Sequence, residues 1–335
     1  MENLRILIVR PDRLGDVVLA TPIPREIKKQ FPHAFIAVMV RKYTKDIFIN
    51  NPHVDEILIF NEAKGTKVFF DNLKAIKSFD FTHAFMLLPH EKINWLLFLA
   101  GIKKRFGVGH KFYQFITNTK SVFRNKLNPL RHEADYCLDF ARKIGVQSYN
   151  YKTEIHFSDT EKVEIDERQK KYLGTKKFLV AVHTSFGISS PNISDDEYYF
   201  LIKELSQNNS VQLCVTDFEP EQRILDLGNV LVLNKSGREF FMDIAAMEIM
   251  ISSSTGPSHI AAAVGIKTLT AFCPLKACSF QLWSPMGNDA YYILPDEGYC
   301  SNLCSGNPKT CRFEGQGGID HKKVIDKLKT ILPGL

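Results

Sequence analysis

The chain has no apolar stretch approaching the roughly 20 residues that a membrane span requires, which argues against an integral membrane protein. It lacks a basic leader followed by an apolar core and a small-residue cleavage site, so its start, MENLRILIVRPDR, points to the cytoplasm. Cysteine is unsuited to a disulfide framework: there are seven, an odd count, and Cys137, Cys214, Cys273 and Cys278 are scattered. Repeats, low-complexity tracts and long charge runs are absent. Two common phosphate-binding fingerprints are missing as well. RPDRLGD, after the first apolar run, has a single glycine where G-x-G-x-x-G is needed, and no G-x-x-x-x-G-K-[ST] occurs. This weakens readings as an NAD oxidoreductase or a P-loop kinase. Against 37 Asp and Glu stand 43 Lys and Arg, a net +6. Spread evenly, that is too little for nucleic acid, and it tilts toward a phosphorylated substrate or an anionic bilayer surface.

What is present is alternation. With 335 residues, 44% hydrophobic and 24% charged, two domains of ordinary size are the natural expectation. Short apolar runs predict strands at 4–10, 35–41, 54–60, 82–88 and around 105–108. Ala134, Cys137, Leu138 and Ala141 recur at spacings of three and four, one face of a helix over 133–143, and Gly145 stands where that helix should end. Residues 145–160 are polar and aperiodic and read as the boundary, with domains at 1–150 and 151–335. The second half restarts the pattern, with strands predicted at 178–183, 211–216, 230–233, 249–252 and 268–272. Two such halves predict an α/β protein of two Rossmann-like, doubly wound parallel sheets facing across a cleft. Ligands are expected at the carboxyl ends of the strands.

Two stretches carry candidate chemistry. In VRPDRLGDVVLATP, residues 9–22, Gly15 allows a tight turn or a close backbone approach, and Asp16 follows at a helix start. A carboxylate there either complements the helix N-terminus, by about 0.3–1 kcal/mol, or acts as a general base. The second stretch, SSSTGPSHIAAAVG at 252–265, runs from a buried strand into an Ala-rich helix. Backbone N–H groups from Thr255 to His259 would face an anion there, aided by hydroxyls of Ser254, Thr255 and Ser258. Pro257 in the first turn costs little, because its amide would have been unpaired anyway. An ordinary strand-to-helix turn capped by Thr255 is the other reading.

Together these stretches resemble the lipopolysaccharide ADP-heptose heptosyltransferases of glycosyltransferase family 9, which have the GT-B fold. The similar segments are ILIVRPDRLGDVVLATPIPREIKKQFPHAFIAVMV, NPHVDEILIF, RHEADYCLDFARKIG and SSSTGPSHIAAAVGIKTLTAFCP, spread over most of the chain. The resemblance implies an inverting, metal-independent transfer of heptose from ADP-heptose to the inner core of lipopolysaccharide or lipooligosaccharide, without a cofactor. The first domain would bind the acceptor and the second the nucleotide-sugar donor. Asp16 matches the family's catalytic aspartate. Thr255, Gly256, Pro257, Ser258 and His259 match the diphosphate-binding motif, preceded by Ser254, with Thr184 and Ser185 at a neighbouring strand end. Glu219, in TDFEPEQR, matches an acid that bonds the nucleotide ribose; a solvated carboxylate at a helix start is the alternative. Arg10, Arg13 and Gly15 are assigned to the acceptor, the two arginines being either partners of its acidic groups or ordinary surface side chains.

The sequence departs from the family pattern at two places. Where relatives have a basic residue, Trp and Pro, HTSFGISSPNISDDEYY has Asn192, Ile193 and Ser194, and Ser254 replaces an acid. The departures leave room for another nucleotide-sugar donor or a non-catalytic nucleotide- or glycan-binding relative. His183 reads either as part of the strand-end site or as a structural histidine. Cys300, Cys304 and Cys311 read as a structural loop, with no clear fourth ligand for a metal and His321 ten residues on. Trp95 to Phe98 with Lys103 and Lys104 read as a helix burying its apolar face ahead of a strand, or as a membrane contact. The location implied is the cytoplasm, peripheral at the cytoplasmic face of the inner membrane.

Overall fold

The computed structural model describes residues 4–124, 128–185, 190–303 and 306–335. The chain divides into two compact units, Met1–His156 and Phe157–Leu335. The division falls inside the polar stretch 145–160.

In the first unit the strands are β1 (Arg5–Val9), β2 (Phe35–Val40), β3 (Glu56–Ile59), β4 (His83–Met86), β5 (Lys104–Val108) and β6 (Lys120–Val122). They form one parallel sheet in the order β3-β2-β1-β4-β5-β6. Central β1 buries Ile6, Leu7, Ile8 and Val9 without alternation, because helices cover both faces of a parallel sheet. The helix Glu133–Arg142 buries Ala134, Cys137, Leu138 and Ala141. It ends as expected at Gly145, whose φ of 96° is one that glycine adopts freely, with Val146 N–H bonding Ala141 O at 3.2 Å. In the helix Glu91–Leu99, Leu96 and Leu97 are buried, Phe98 and Leu99 are exposed, and Lys104 opens β5.

The second unit holds β7 (Phe178–His183), β8 (Val211–Val215), β9 (Leu231–Val232), β10 (Ile249–Ser253), β11 (Lys267–Ala271) and β12 (Ala290–Ile293). Its parallel sheet runs β12-β11-β10-β7-β8-β9. Counted from its own first strand, this is the same order as in the first unit. Each sheet therefore has one place where strand order reverses, at β1/β4 and at β7/β10, and ligands of such sheets bind at that crevice. Two edge strands, β6 and β12, give no signal in the sequence pattern. Lys120–Val122 is too short to show a period, and Ala290–Ile293 is mostly exposed. Among the described residues, no helix is long and apolar enough to cross a membrane.

Candidate functional site

At the β1/β4 crevice, the chain leaves β1 through Arg10, Pro11 and Asp12 and enters the short helix Leu14–Val18. Gly15 lies within that helix, buried and outside the left-handed region, so it does not form the tight turn its identity suggested. Asp16 is in the first turn, part-exposed. Arg10 is 2% exposed, and its guanidinium is shared within the unit. Nη2 donates to Asp16 Oδ1 at 2.7 Å and to Glu133 Oε1 at 3.4 Å, Nη1 donates to Leu87 O at 3.0 Å, and Nε lies 3.4 Å from Asp12 Oδ2. Buried Glu133 is also paired with Arg124. Burial opposes the charge on Arg10, yet the carboxylates of Asp16, Glu133 and Asp12 help raise its pKa above the ordinary arginine value. Burial pushes the adjacent Cys137 thiol up to about 12, which keeps it neutral. Arg10, assigned to the acceptor from the sequence, is thus almost wholly buried, with its guanidinium turned to Asp16, Glu133 and Leu87 O. Arg13 is exposed at the helix start.

At the β7/β10 crevice, the helix Gly256–Ala263 begins immediately after β10, with Thr255 as N-cap and Pro257 in its first turn. The Thr255 side chain makes no cap hydrogen bond. Its Oγ1 is buried with no hydrogen-bond partner among the described residues, and the residue is only 9% exposed. A buried hydroxyl without a partner costs about 1–3 kcal/mol, so a ligand atom is the natural complement. The first amides of a helix likewise lack intrahelical partners, and the dipole favours an anion there. Ser258 Oγ donates to Thr255 O at 2.7 Å. Ser254 O accepts from Ser190 Oγ at 2.9 Å, and His259 is buried.

Asp217, at the end of β8, organises the neighbouring loop and was not singled out from the sequence. Fully buried, it accepts from Thr184 N–H (3.1 Å), Thr184 Oγ1 (3.0 Å) and Ser185 N–H (2.8 Å). The available signal was a carboxylate two residues past the buried strand Val211–Val215. His183 faces Asp217 at 3.3 Å and Thr216 O at 3.3 Å. Burial lowers its pKa against the opposing pull of Asp217 and Thr216. Glu219 is exposed in the loop after β8.

Asn192 is fully buried. Its Nδ2 donates to Thr184 O at 3.0 Å, and its Oδ1 accepts from Tyr198 O–H at 3.1 Å. Tyr198 also meets Ser253 Oγ at 3.2 Å. The position is a buried polar link between the ends of β7 and β10, while Ser194 caps the helix Asp195–Ser206. Cys300 and Cys311 pack on the core of this unit, and Cys311 O accepts from Asn192 N–H at 3.3 Å. Cys304 lies outside the described residues, as do 186–189 of the loop after β7. Among the described residues the cysteines do not form a ligand set for one ion. His321 is held by Glu197 at 2.6 Å.

Known proteins resemble this chain along its length. The family model of glycosyltransferase family 9 (heptosyltransferase) matches residues 72–303. A Haemophilus influenzae protein whose name goes no further than glycosyltransferase is 25% identical over 302 residues, covering 85% of this chain and 86% of its own. The lipooligosaccharide heptosyltransferase 2 of Campylobacter jejuni is 21% identical over 348 residues, covering 98% of both. The solved structure of Escherichia coli ADP-heptose lipopolysaccharide heptosyltransferase II has 16% identity but a TM-score of 0.76, with 98% of each chain covered. The fold is thus the GT-B class that the motifs implied.

Proposed function

Because this chain belongs to glycosyltransferase family 9, the heptosyltransferases, we propose that it transfers heptose from ADP-heptose to the inner core of lipopolysaccharide or lipooligosaccharide. That it is a glycosyltransferase follows from the family; the donor, acceptor and stereochemistry are the proposal. The observation that carries it is Asp16, part-exposed, with Oδ1 held by the buried guanidinium of Arg10. Held at one oxygen, the carboxylate has Oδ2 left to take a proton. In the proposed step, Asp16 removes the proton of an acceptor hydroxyl while that oxygen bonds to the anomeric carbon. The bond from that carbon to the diphosphate oxygen breaks, and its electron pair leaves with ADP. Attack opposite the leaving group inverts the anomeric centre, and no metal is required. Growing charge on the diphosphate would meet the amides at the start of Gly256–Ala263 and the Thr255 hydroxyl. The first unit would bind the acceptor through Arg13, and the second the donor through Thr184, Ser185, Glu219 and residues 254–259.

Association with the inner face of the membrane is part of the same reading. Its support is a cluster of exposed aromatics, Phe112 (79%), Phe115 (83%) and Phe123 (67%), interleaved with exposed Lys111 and Lys120. Aromatic and basic side chains of this kind bind anionic lipid surfaces.

The test is ADP release from ADP-heptose with a panel of truncated core acceptors, run beside Asp16→Ala. Release that depends on one acceptor and falls by about 10²–10⁴ in the variant supports the reading. A second reading has a specific motive. Asn192, uncharged at a place where the resemblance implies a cation, is buried and hydrogen-bonded within the chain, so nucleotide binding without turnover would point to another donor or to a binding-only relative.

A further inference from the structure

Outside both crevices, one cluster brings together three metal-ligating side chains. His53 precedes β3, and Glu154 and His156 lie in the last residues of the first unit. One ligand atom from each falls within 4.8 Å of the others. Glu154 Oε1 is 3.2 Å from His156 Nε2 and 3.9 Å from His53 Nε2. Around a tetrahedral ion with bonds of about 2.0–2.1 Å, ligand atoms stand about 3.3 Å apart, so small side-chain rotations suffice.

The surroundings are built to present this set. Glu154 and His156 flank Ile155, which is buried, so the two polar side chains turn the other way. Glu154 N–H bonds Thr21 Oγ1 at 3.0 Å, and Arg25 holds the same segment through Lys152 O at 2.9 Å and Asn150 O at 3.0 Å. His53 N–H bonds Asn51 Oδ1 at 2.9 Å. Nearby positive charge is balanced: Arg25 meets Glu154 Oε2 at 2.6 Å and Glu26 at 2.7 Å, and Lys29 meets Glu26 at 2.8 Å. Glu154 Oε1, by contrast, is buried and faces the two imidazoles rather than a lysine or arginine.

We propose that His53, Glu154 and His156 bind one divalent cation of the zinc class through two imidazole nitrogens and Glu154 Oε1. Two imidazoles and one carboxylate suit zinc, cobalt or nickel over magnesium or calcium, with water completing the shell. The ion would join the loop before β3 to the end of the first unit, a structural role. The inference is independent of the transfer reading and needs no turnover to test.

The experiment titrates Co²⁺ and Zn²⁺ into the chelator-stripped full chain. One equivalent of Co²⁺ should develop visible d–d bands, and Zn²⁺ should raise the thermal unfolding midpoint. His53→Ala and His156→Gln should each weaken binding at least about 100-fold, more than loss of an outer-shell partner does. Both rings are part-exposed, so circular dichroism of the two variants should match the parent, and retention of affinity in either folded variant refutes the site. Absence of stoichiometric binding overturns the proposal. So does an intense sulfur-to-cobalt charge-transfer band, which would put the ion on the cysteines.

Discussion

Arg10 is the residue on which the first crevice depends. It touches Asp16, Glu133 and Leu87 O, drawn from three distant stretches of the chain. Replacing Arg10 with Ala should lower stability in urea unfolding by about 3 kcal/mol, the low end for a broken buried pair, because Arg124 still meets Glu133. Thr255→Val is predicted to act in the opposite way. Deleting a buried hydroxyl that has no partner in the chain should leave the unliganded fold as stable or more so. Affinity for a nucleoside diphosphate, measured by calorimetry, should fall about ten- to hundredfold, the worth of a hydrogen bond to a charged group. An unchanged affinity would remove Thr255 from the donor site. The motif around Thr255 was legible in the sequence because strand, N-cap, Pro257 and helix are consecutive. The partners of Arg10 were not, since their meeting depends on how β1, β4 and the helix Glu133–Arg142 pack.

Among elements, the central strands were readable and the edges were not. β1, β7 and β10 are near-continuous apolar runs because both faces are covered, whereas β6 and β12 lack that pattern. The helix Phe112–Ile116 shows another limit of pattern reading. Gln114 is buried and Phe112, Phe115 and Ile116 are exposed, the reverse of the usual amphipathic arrangement. If this element meets a bilayer, Phe112→Ser with Phe115→Ser should cut partition onto anionic vesicles by at least about tenfold, since each buried aromatic is worth about 1.5–3 kcal/mol. Transfer to a soluble truncated acceptor should be unaffected. Equal sedimentation of parent and variant with vesicles would end that assignment.

For the whole molecule, pH dependence follows from its buried histidines and paired acids. Burial lowers the pKa of His53, His90 and His183 below 6.5. Below that value the unfolded chain binds protons that the folded chain refuses, so stability falls as pH drops. Burial opposes ionisation of Glu26, Asp135 and Glu154, but their hydrogen-bonded cations outweigh it, and Arg238 holds Glu161 at about 2. These carboxylates stabilise the fold above their ordinary values, and their contribution is lost as pH falls through the lowered ones. The urea midpoint should therefore decline between about pH 6.5 and 5 and again below about pH 4.5, the first decline shrinking in His183→Asn. A flat profile from pH 7 to 5 would contradict the histidine assignment.

By itself the sequence determined the α/β class, the helix ending at Gly145 and the two strand-end motifs that carry Asp16 and Thr255. Each is set by residues within a few positions of one another, where periodicity, capping and turn chemistry act. Only the tertiary structure decided that Arg10 orients Asp16, that Asp217 holds the loop after β7, that Asn192 is a buried link and that His53 meets Glu154 and His156. Those outcomes rest on contacts between residues up to 123 positions apart, which depend on strand order and packing rather than on any local pattern.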